Sequence, residues 1–324
     1  MRMVQAINEA IAEEMARDPR VVLFGEDVEI SLFGDTRGLA QRFGPQRVRN
    51  TPICEATLTG LAVGAAVAGL RPICHLMYGN FLYTGFDAIA NQAAKLRYMS
   101  GGQARLPLVY MAVYGAGRSI GAQHSDVPYP MLANLGGLKV VVPSTPADAK
   151  GLLKSAIRDD NPVVFLQPAR RGGEQGEVPE PDHLVPLGVG EIKRRGDDVT
   201  LVAIGSMVRP ALRVAEALRP EGIDVEVIDP RTVCPLDLDL VIDSVRRTGV
   251  LVVADEARTT CSVASEISAS VTERAFDALR APVRRVTVPD IAIPYAPMLE
   301  QAVLPSEESL AAAIRSVHAY EGGR

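Results

Sequence analysis

Residues 50–70 read NTPICEATLTGLAVGAAVAGL, and Glu55 is the one charged side chain in that run. Thr51, standing before Pro52, is steered toward an extended backbone. The small and apolar residues that follow, with Gly at 60, 64 and 69, predict a buried helix whose short side chains let another backbone come close. An acid at the mouth of such a helix is costly to desolvate without a partner. It is equally an ordinary first-turn glutamate, solvated and stabilised by the helix dipole. Both readings stand until the rest of the chain is considered.

Working outward, Val4, Ile7, Ile11 and Met15 form a helical stripe ended by Asp18-Pro19. Residues 21–25 then read as a buried strand whose C-terminal turn is Gly25-Glu26-Asp27. In open α/β sheets ligands collect at such strand ends, although a solvated acidic turn reads the same way. Residues 30–38 form a loop. On the other side the pattern predicts strands at 72–77, 107–113, 138–142 and 162–167. Between them lie a helix at 84–98 capped by Thr84, a long loop at 115–130, and a helix at 146–158 capped by Thr145. Strand and helix alternate, which predicts an α/β fold with a doubly wound, mainly parallel sheet.

The pattern breaks in the Gly-, Pro- and charge-rich stretch 169–186. The expected organisation is a first domain at 1–178, a linker at 179–194 and a second α/β domain at 195–324. The second domain carries strands at 199–204, 223–228, 250–254 and 283–288, with helices at 208–218, 236–246, 263–279 and 307–318. No repeat relates the halves.

Composition narrows the function classes. The 324 residues are 47% hydrophobic and 23% charged, and 34 basic against 39 acidic side chains give a net charge of −5. No basic block favours nucleic acid. The cysteines at 54, 74, 234 and 261 lack metal or redox spacing, so reduced thiols in the cytoplasm are expected. No signal peptide is visible, and the longest apolar run is broken by glycines and followed by Arg71-Pro72, against a membrane span.

Of the four histidines, His75 falls in a strand, His183 in the linker and His318 in the last helix. His124 lies on a Gly-rich loop beyond a strand, where an imidazole suits general acid–base work. The nearby GAGRSIG (115–121) has the wrong spacing for a dinucleotide fingerprint. Adjacent His124, Ser125 and Asp126 cannot form a hydrolase triad among themselves. A zinc cluster and a phosphate-binding P-loop are also missing from the sequence.

GED (25–27), NTPICEATLTGLAVGAAVAGLRP (50–72), NQAAKLRYMSGGQ (91–103), GAQHS (121–125), GLKVVVPSTPADAKGLLKSAIRDDNPVVF (137–165) and IPYAPMLE (293–300) together resemble one family. It is the beta subunit of the thiamine-diphosphate-dependent decarboxylating component of 2-oxoacid dehydrogenase complexes, as in pyruvate, branched-chain 2-oxoacid and acetoin dehydrogenases. The resemblance covers essentially the whole chain. It implies a pyrimidine-binding domain followed by a transketolase C-terminal-like domain. It also implies an alpha-subunit partner, in an assembly of two alpha and two beta chains, that holds the diphosphate and magnesium.

By the same resemblance Glu55 hydrogen-bonds the aminopyrimidine ring nitrogen and favours the tautomer that activates the thiazolium carbon. Met77 and Phe81 line the aminopyrimidine, His124 assists acyl transfer to a lipoyl arm, and Glu26 belongs to a proton relay. Leu108, Ala156, Ile157, Asp159 and Asn161 match a potassium site built largely from backbone carbonyls. The C-terminal domain completes the dimer and, in some members, docks onto a lipoyl-bearing acyltransferase core.

Three stretches depart from the family pattern. SDVPYPMLANLG (125–136) places Asp126 where Gln is expected, ARRGGEQGE (169–177) replaces a Tyr-Arg ending, and ARTTCSVASEI (257–267) replaces a glycine-rich run. The leading reading is oxidative decarboxylation of a pyruvate-like 2-oxoacid. The alternatives are a split transketolase-like enzyme moving a two-carbon ketol unit from a ketose to a carrier protein, and a non-catalytic assembly partner. Glu55 and His124 together weigh against the last.

Overall fold

The computed structural model describes residues 1–179 and 182–320. The chain divides into two units, residues 1–115 with 123–187 and residues 116–122 with 188–324.

The first unit runs α1 (Met3–Arg17), β1 (Val21–Gly25), α2 (Leu39–Phe43), β2 (Val48–Asn50), α3 (Glu55–Val67), β3 (Arg71–Tyr78), α4 (Leu96–Met99), β4 (Val109–Tyr114), α5 (Tyr129–Ala133), β5 (Lys139–Val141), α6 (Pro146–Arg158) and β6 (Val163–Pro168). Within it the strands lie in the order β5-β6-β4-β3-β1-β2, each neighbouring pair parallel. Central β4 and β6 are buried at every residue. That is why they read as unbroken apolar runs rather than alternations.

Helices α1 and α6 cover one face. Met3, Ile7, Ile11 and Met15 of α1 share a core with Leu152, Leu153 and Ile157 of α6 and with Leu23, Ile73 and Phe165 of the sheet. At the rim of that contact Lys150 bonds Glu9 and Glu13 (3.0 and 2.7 Å), and Arg158 bonds Glu14 (2.6 Å). The predicted cap of α6 is present: Thr145 Oγ1 accepts the Asp148 backbone N–H at 3.1 Å, satisfying one of the helix's open donors.

Three sequence expectations change. Helix α3 buries Leu58, Thr59, Ala62, Val63 and Ala66, but Gly60, Leu61, Gly64 and Val67 are exposed in this chain, so the helix is half-buried rather than buried. The segment expected as a helix over 84–98 is helical from 86, but it widens to a π-helix at Ala88–Ala93, turns at 94–95 and ends as α4, and Thr84 makes no cap. Gly85 sits so close to Thr59 that a Cβ would lie 2.4 Å from its hydroxyl, a tertiary approach that local sequence does not announce. The stretch read as a linker belongs in good part to the first unit. Gly172 O and Glu174 O accept the backbone N–H groups of Val4 and Met3, and Val185 lies in the α1–α6 core. Glu180 and Pro181 of that stretch lie outside the described residues.

The second unit runs β7 (Glu191–Arg194), β8 (Val199–Ala203), α7 (Val208–Leu218), β9 (Val225–Asp229), β10 (Thr232–Cys234), α8 (Leu238–Thr248), β11 (Leu251–Arg258), α9 (Val263–Ala275), β12 (Arg284–Val288), α10 (Pro297–Val303) and α11 (Glu307–His318). Its sheet is ordered β12-β11-β8-β9-β7, parallel except for β7. Residues 191–194, expected at the end of the linker, thus form an antiparallel edge strand. Val199, Leu201, Val225, Val227, Val252 and Ala254 pack with Val208, Ala215, Leu310 and Ile314.

Candidate active site

The carboxyl ends of β1 to β4 gather the acids and aromatics named from sequence. Gly25 closes β1 with φ of +155°, and a Cβ there would meet the His75 carbonyl oxygen at 2.2 Å. No other residue lets β1 and β3 end this close together. Glu26 follows directly and is 3% exposed.

Across from it, the Thr51 backbone N–H donates to Gly25 O at 3.0 Å and leads the chain into α3. Glu55 is the first residue of that helix, 9% exposed. Among the described residues no hydrogen bond engages its carboxylate. Both Glu26 oxygens are buried and lack a hydrogen bond of normal geometry. Burial first, then the Glu55 charge, pushes Glu26 up to about 7, with the Cys54 amide and the neighbouring His75 opposing weakly. A charge on Glu55 thus makes a charge on Glu26 costlier. Such an arrangement marks a functional site more often than a structural one.

Beyond β3 the chain turns through Gly79–Tyr83. Met77 and Phe81 are both half-buried there, and Met77 has φ of 51°. His124, in the short turn Ala122–His124, stands edge-on to two rings. The centroids lie 5.5 Å from Phe81 at 73° and 4.9 Å from Tyr78 at 90°. Tyr78 also meets Phe81 at 5.6 Å. Edge-to-face contact on two sides fixes the imidazole plane while leaving its nitrogens free of the rings.

Tyr78 was missed from sequence, and so was Asn80. The Asn80 amide donates to Asp126 Oδ2 at 3.0 Å, and its Oδ1 accepts the Asp126 N–H at 3.1 Å. The residue that departs from the family pattern therefore ties the His124 loop to the turn after β3.

Gly117–Gly121 spells G-x-S-x-G, the sequence of a nucleophile elbow. Ser119 Oγ, however, donates to Glu300 Oε2 at 3.0 Å, and no histidine touches it among the described residues. His75 pairs with Asp35 at 3.0 Å inside the unit.

Leu108, Ala156, Ile157, Asp159 and Asn161 lie elsewhere, at the amino edge of the same sheet. There Arg71 Nη1 donates to the carbonyls of Ile157 and Asp159, both at 3.0 Å. The Leu108 carbonyl accepts the Val163 N–H at 3.0 Å, and that of Ala156 accepts the Asp159 N–H at 3.3 Å. Each of these oxygens keeps a second lone pair. A potassium ion would share the Ile157 and Asp159 oxygens with Arg71, and those of Leu108 and Ala156 with backbone amides, rather than find them open. No cluster of His, Cys, Asp and Glu suited to a metal ion occurs among the described residues, and no helix there is long and apolar enough to cross a membrane.

Comparison with known proteins agrees with this geometry. Residues 1–172 match the transketolase pyrimidine binding domain, and residues 188–310 the transketolase C-terminal domain. The pyruvate dehydrogenase E1 component subunit beta of Rickettsia felis is 44% identical over 318 residues, covering 98% of both chains. The chain belongs to the transketolase-like beta subunits of 2-oxoacid dehydrogenases. Two other members of the family are the acetoin:2,6-dichlorophenolindophenol oxidoreductase subunit beta of Bacillus subtilis (strain 168), 44% identical over 95% of this chain and 94% of that one, and the 2-oxoisovalerate dehydrogenase subunit beta of the same organism, 40% identical over 98% of each. A solved split gene transketolase, described as an inactive beta4 tetramer, superposes with a TM-score of 0.83 at 27% identity, covering 99% of this chain and all of that one. The α/β, two-domain architecture expected from sequence is thus the family's own.

Proposed function

We propose that this beta subunit supplies the pyrimidine-binding half of a thiamine-diphosphate site, completed by an alpha subunit, for oxidative decarboxylation of a pyruvate-like 2-oxoacid with acyl transfer to a lipoyl carrier. The observation that carries this reading is Glu55, a nearly buried residue whose carboxyl group accepts no hydrogen bond among the described residues, at a strand-end site of an α/β sheet. A carboxyl held so fits the ring nitrogen of an aminopyrimidine, which would satisfy it. When bound, the cofactor supplies the electron sink for decarboxylation.

The chain's residues do the positioning and proton work. Glu55 hydrogen-bonds the ring nitrogen and sets its proton. Glu26, protonated below about pH 7, keeps a proton beside it. Met77 and Phe81 wall the ring and exclude water. His124, its plane fixed by Tyr78 and Phe81, donates or accepts a proton at an imidazole nitrogen during acyl transfer. The diphosphate and its magnesium belong to the alpha subunit in this reading, within an assembly of two alpha and two beta chains. The carbonyls at the amino edge share a potassium ion with Arg71. Four free cysteines support a cytoplasmic enzyme.

The test is turnover of an artificial electron acceptor by this chain reconstituted with its alpha partner, thiamine diphosphate and magnesium. Pyruvate, branched-chain 2-oxoacids, acetoin and ketose phosphates would be offered side by side. Turnover of a 2-oxoacid supports the proposal and names the substrate. The likeness to a split transketolase supports a second reading, two-carbon ketol transfer, and turnover of the ketose phosphates alone would select it.

A further inference from the structure

Strand β3 ends out of step. Its pairing with β4 keeps register to His75↔Met111, then slips and resumes at Tyr78↔Val113. Met77 sits in the slip with φ of 51°. A non-glycine residue takes that left-handed backbone only where the surroundings fix it.

What fixes it here is an imidazole. The Met77 backbone N–H donates to His75 Nδ1 at 3.3 Å. A ring nitrogen that accepts leaves the proton on the other, so Nε2–H donates to Asp35 Oδ2 at 3.0 Å. His75 is 3% exposed and Asp35 1%, and Phe33 stacks on the imidazole at 6.1 Å and 26°. The Asp35 loop is itself anchored. The Asn8 amide donates to Asp35 O at 3.0 Å, the Thr36 N–H to Ser31 Oγ at 3.0 Å, and Thr36 Oγ1 to Val28 O at 2.8 Å. Two hydrogen bonds on one ring therefore connect a rigid loop to the peptide of Met77. A buried polar pair is a poor device for stability alone, since apolar side chains of similar volume serve as well. Its use at a register slip points to geometry.

We propose that His75, oriented by Asp35, is a positioning residue that sets the left-handed backbone of Met77 and so holds the Met77 side chain against the aminopyrimidine. The proposal rests on the reading above that Met77 lines that ring.

Two substitutions separate the two bonds. His75→Gln keeps an amide donor for Asp35 and loses the acceptor for Met77. His75→Asn places an oxygen where Nδ1 stood, on a side chain too short to need orienting by Asp35, and loses the bond to Asp35. Each variant would be reconstituted with the alpha subunit and titrated with thiamine diphosphate and magnesium by calorimetry, with thermal midpoints recorded in parallel. The dissociation constant is expected to rise about tenfold in His75→Gln and less than about threefold in His75→Asn, while both lose thermal stability alike. A constant unmoved in His75→Gln, or moved equally in both, overturns the proposal. Should His75→Gln fail to fold, Asp35→Leu against Asp35→Asn asks the same question: weakened binding in the leucine variant alone supports the proposal, and equal binding overturns it. Absence of thiamine diphosphate binding by the wild-type complex would instead defeat the functional reading, and this proposal with it.

Discussion

The two edges of the first sheet use the same side-chain chemistry in opposite ways. At the amino edge every buried charge found near the strands is matched. Asp18 is held down to about 2, chiefly by its hydrogen bonds with Arg20. Arg71 joins two carbonyls and the Asp160 carboxylate, and Arg47 caps the carbonyls of Met15, Asp18 and Val21. At the carboxyl edge Glu26 is driven up instead of down, the Glu55 carboxyl accepts no hydrogen bond among the described residues, and left-handed backbone recurs at Asp27 and Met77. A fold that saturates one edge can leave the other unsatisfied, and unsatisfied groups are what a ligand completes.

Glu55→Gln should have the largest effect at the carboxyl edge. It removes the acid while keeping shape and leaves the amino edge intact. Turnover of the reconstituted enzyme should fall roughly 10²- to 10⁴-fold, with the thermal midpoint of the chain little changed. An active glutamine variant would strip the carboxyl edge of its function.

The same cut at the other edge should reverse the balance. Arg71→Leu leaves the Ile157 and Asp159 carbonyls without their donor and Asp160 without its closest cation, in a setting where Arg71 is 12% exposed. About 3 kcal/mol of stability should be lost in urea titration. A loss below 1 kcal/mol would show that this edge is not saturated by Arg71.

Glu26 makes the stability of the carboxyl edge depend on pH. Its carboxyl is raised from 4.5 to about 7 in the folded chain, so the folded form binds the proton more tightly than the unfolded form does. This group's contribution is therefore full below about pH 4.5 and is lost as pH climbs through 7. Glu26→Gln should flatten that slope and leave the variant about 1–2 kcal/mol more stable than wild type at pH 8, once solvent screening is allowed for. Parallel profiles for the two proteins would mean that Glu26 is not raised.

How much of this was legible in the sequence follows from the range of the forces involved. The strands of the sheet centre announced themselves because both of their faces are buried, and α6 because its cap and apolar stripe are local. That Glu26 follows a strand, Glu55 opens a helix and His124 stands in a loop turn was legible because strand ends and helix starts are local features. The segment expected as a helix over 84–98 is helical but widens to a π-helix at Ala88–Ala93, and β7 hid because its four residues are half-exposed and rich in charge. Asp35 and His75 are 40 residues apart, and nothing within either neighbourhood signals the pair. Tyr78 and Asn80 were invisible for the same reason. Their partners, His124 and Asp126, arrive from beyond the next strand.

The mildest probe asks whether the amino edge is as complete as it looks. Four of the five carbonyls matched to potassium already accept a hydrogen bond, two of them from Arg71, so an ion there adds to a filled set instead of building it. Replacing potassium by sodium at constant ionic strength should therefore lower the thermal midpoint by only about 2 °C, the size expected of a weakly bound cation that stabilises by mass action. In Arg71→Leu the carbonyls lose their covalently tethered cation, and the dependence on potassium should grow to several times that. A midpoint indifferent to potassium in both proteins would remove the ion from this edge and leave its carbonyls to Arg71 and the backbone amides.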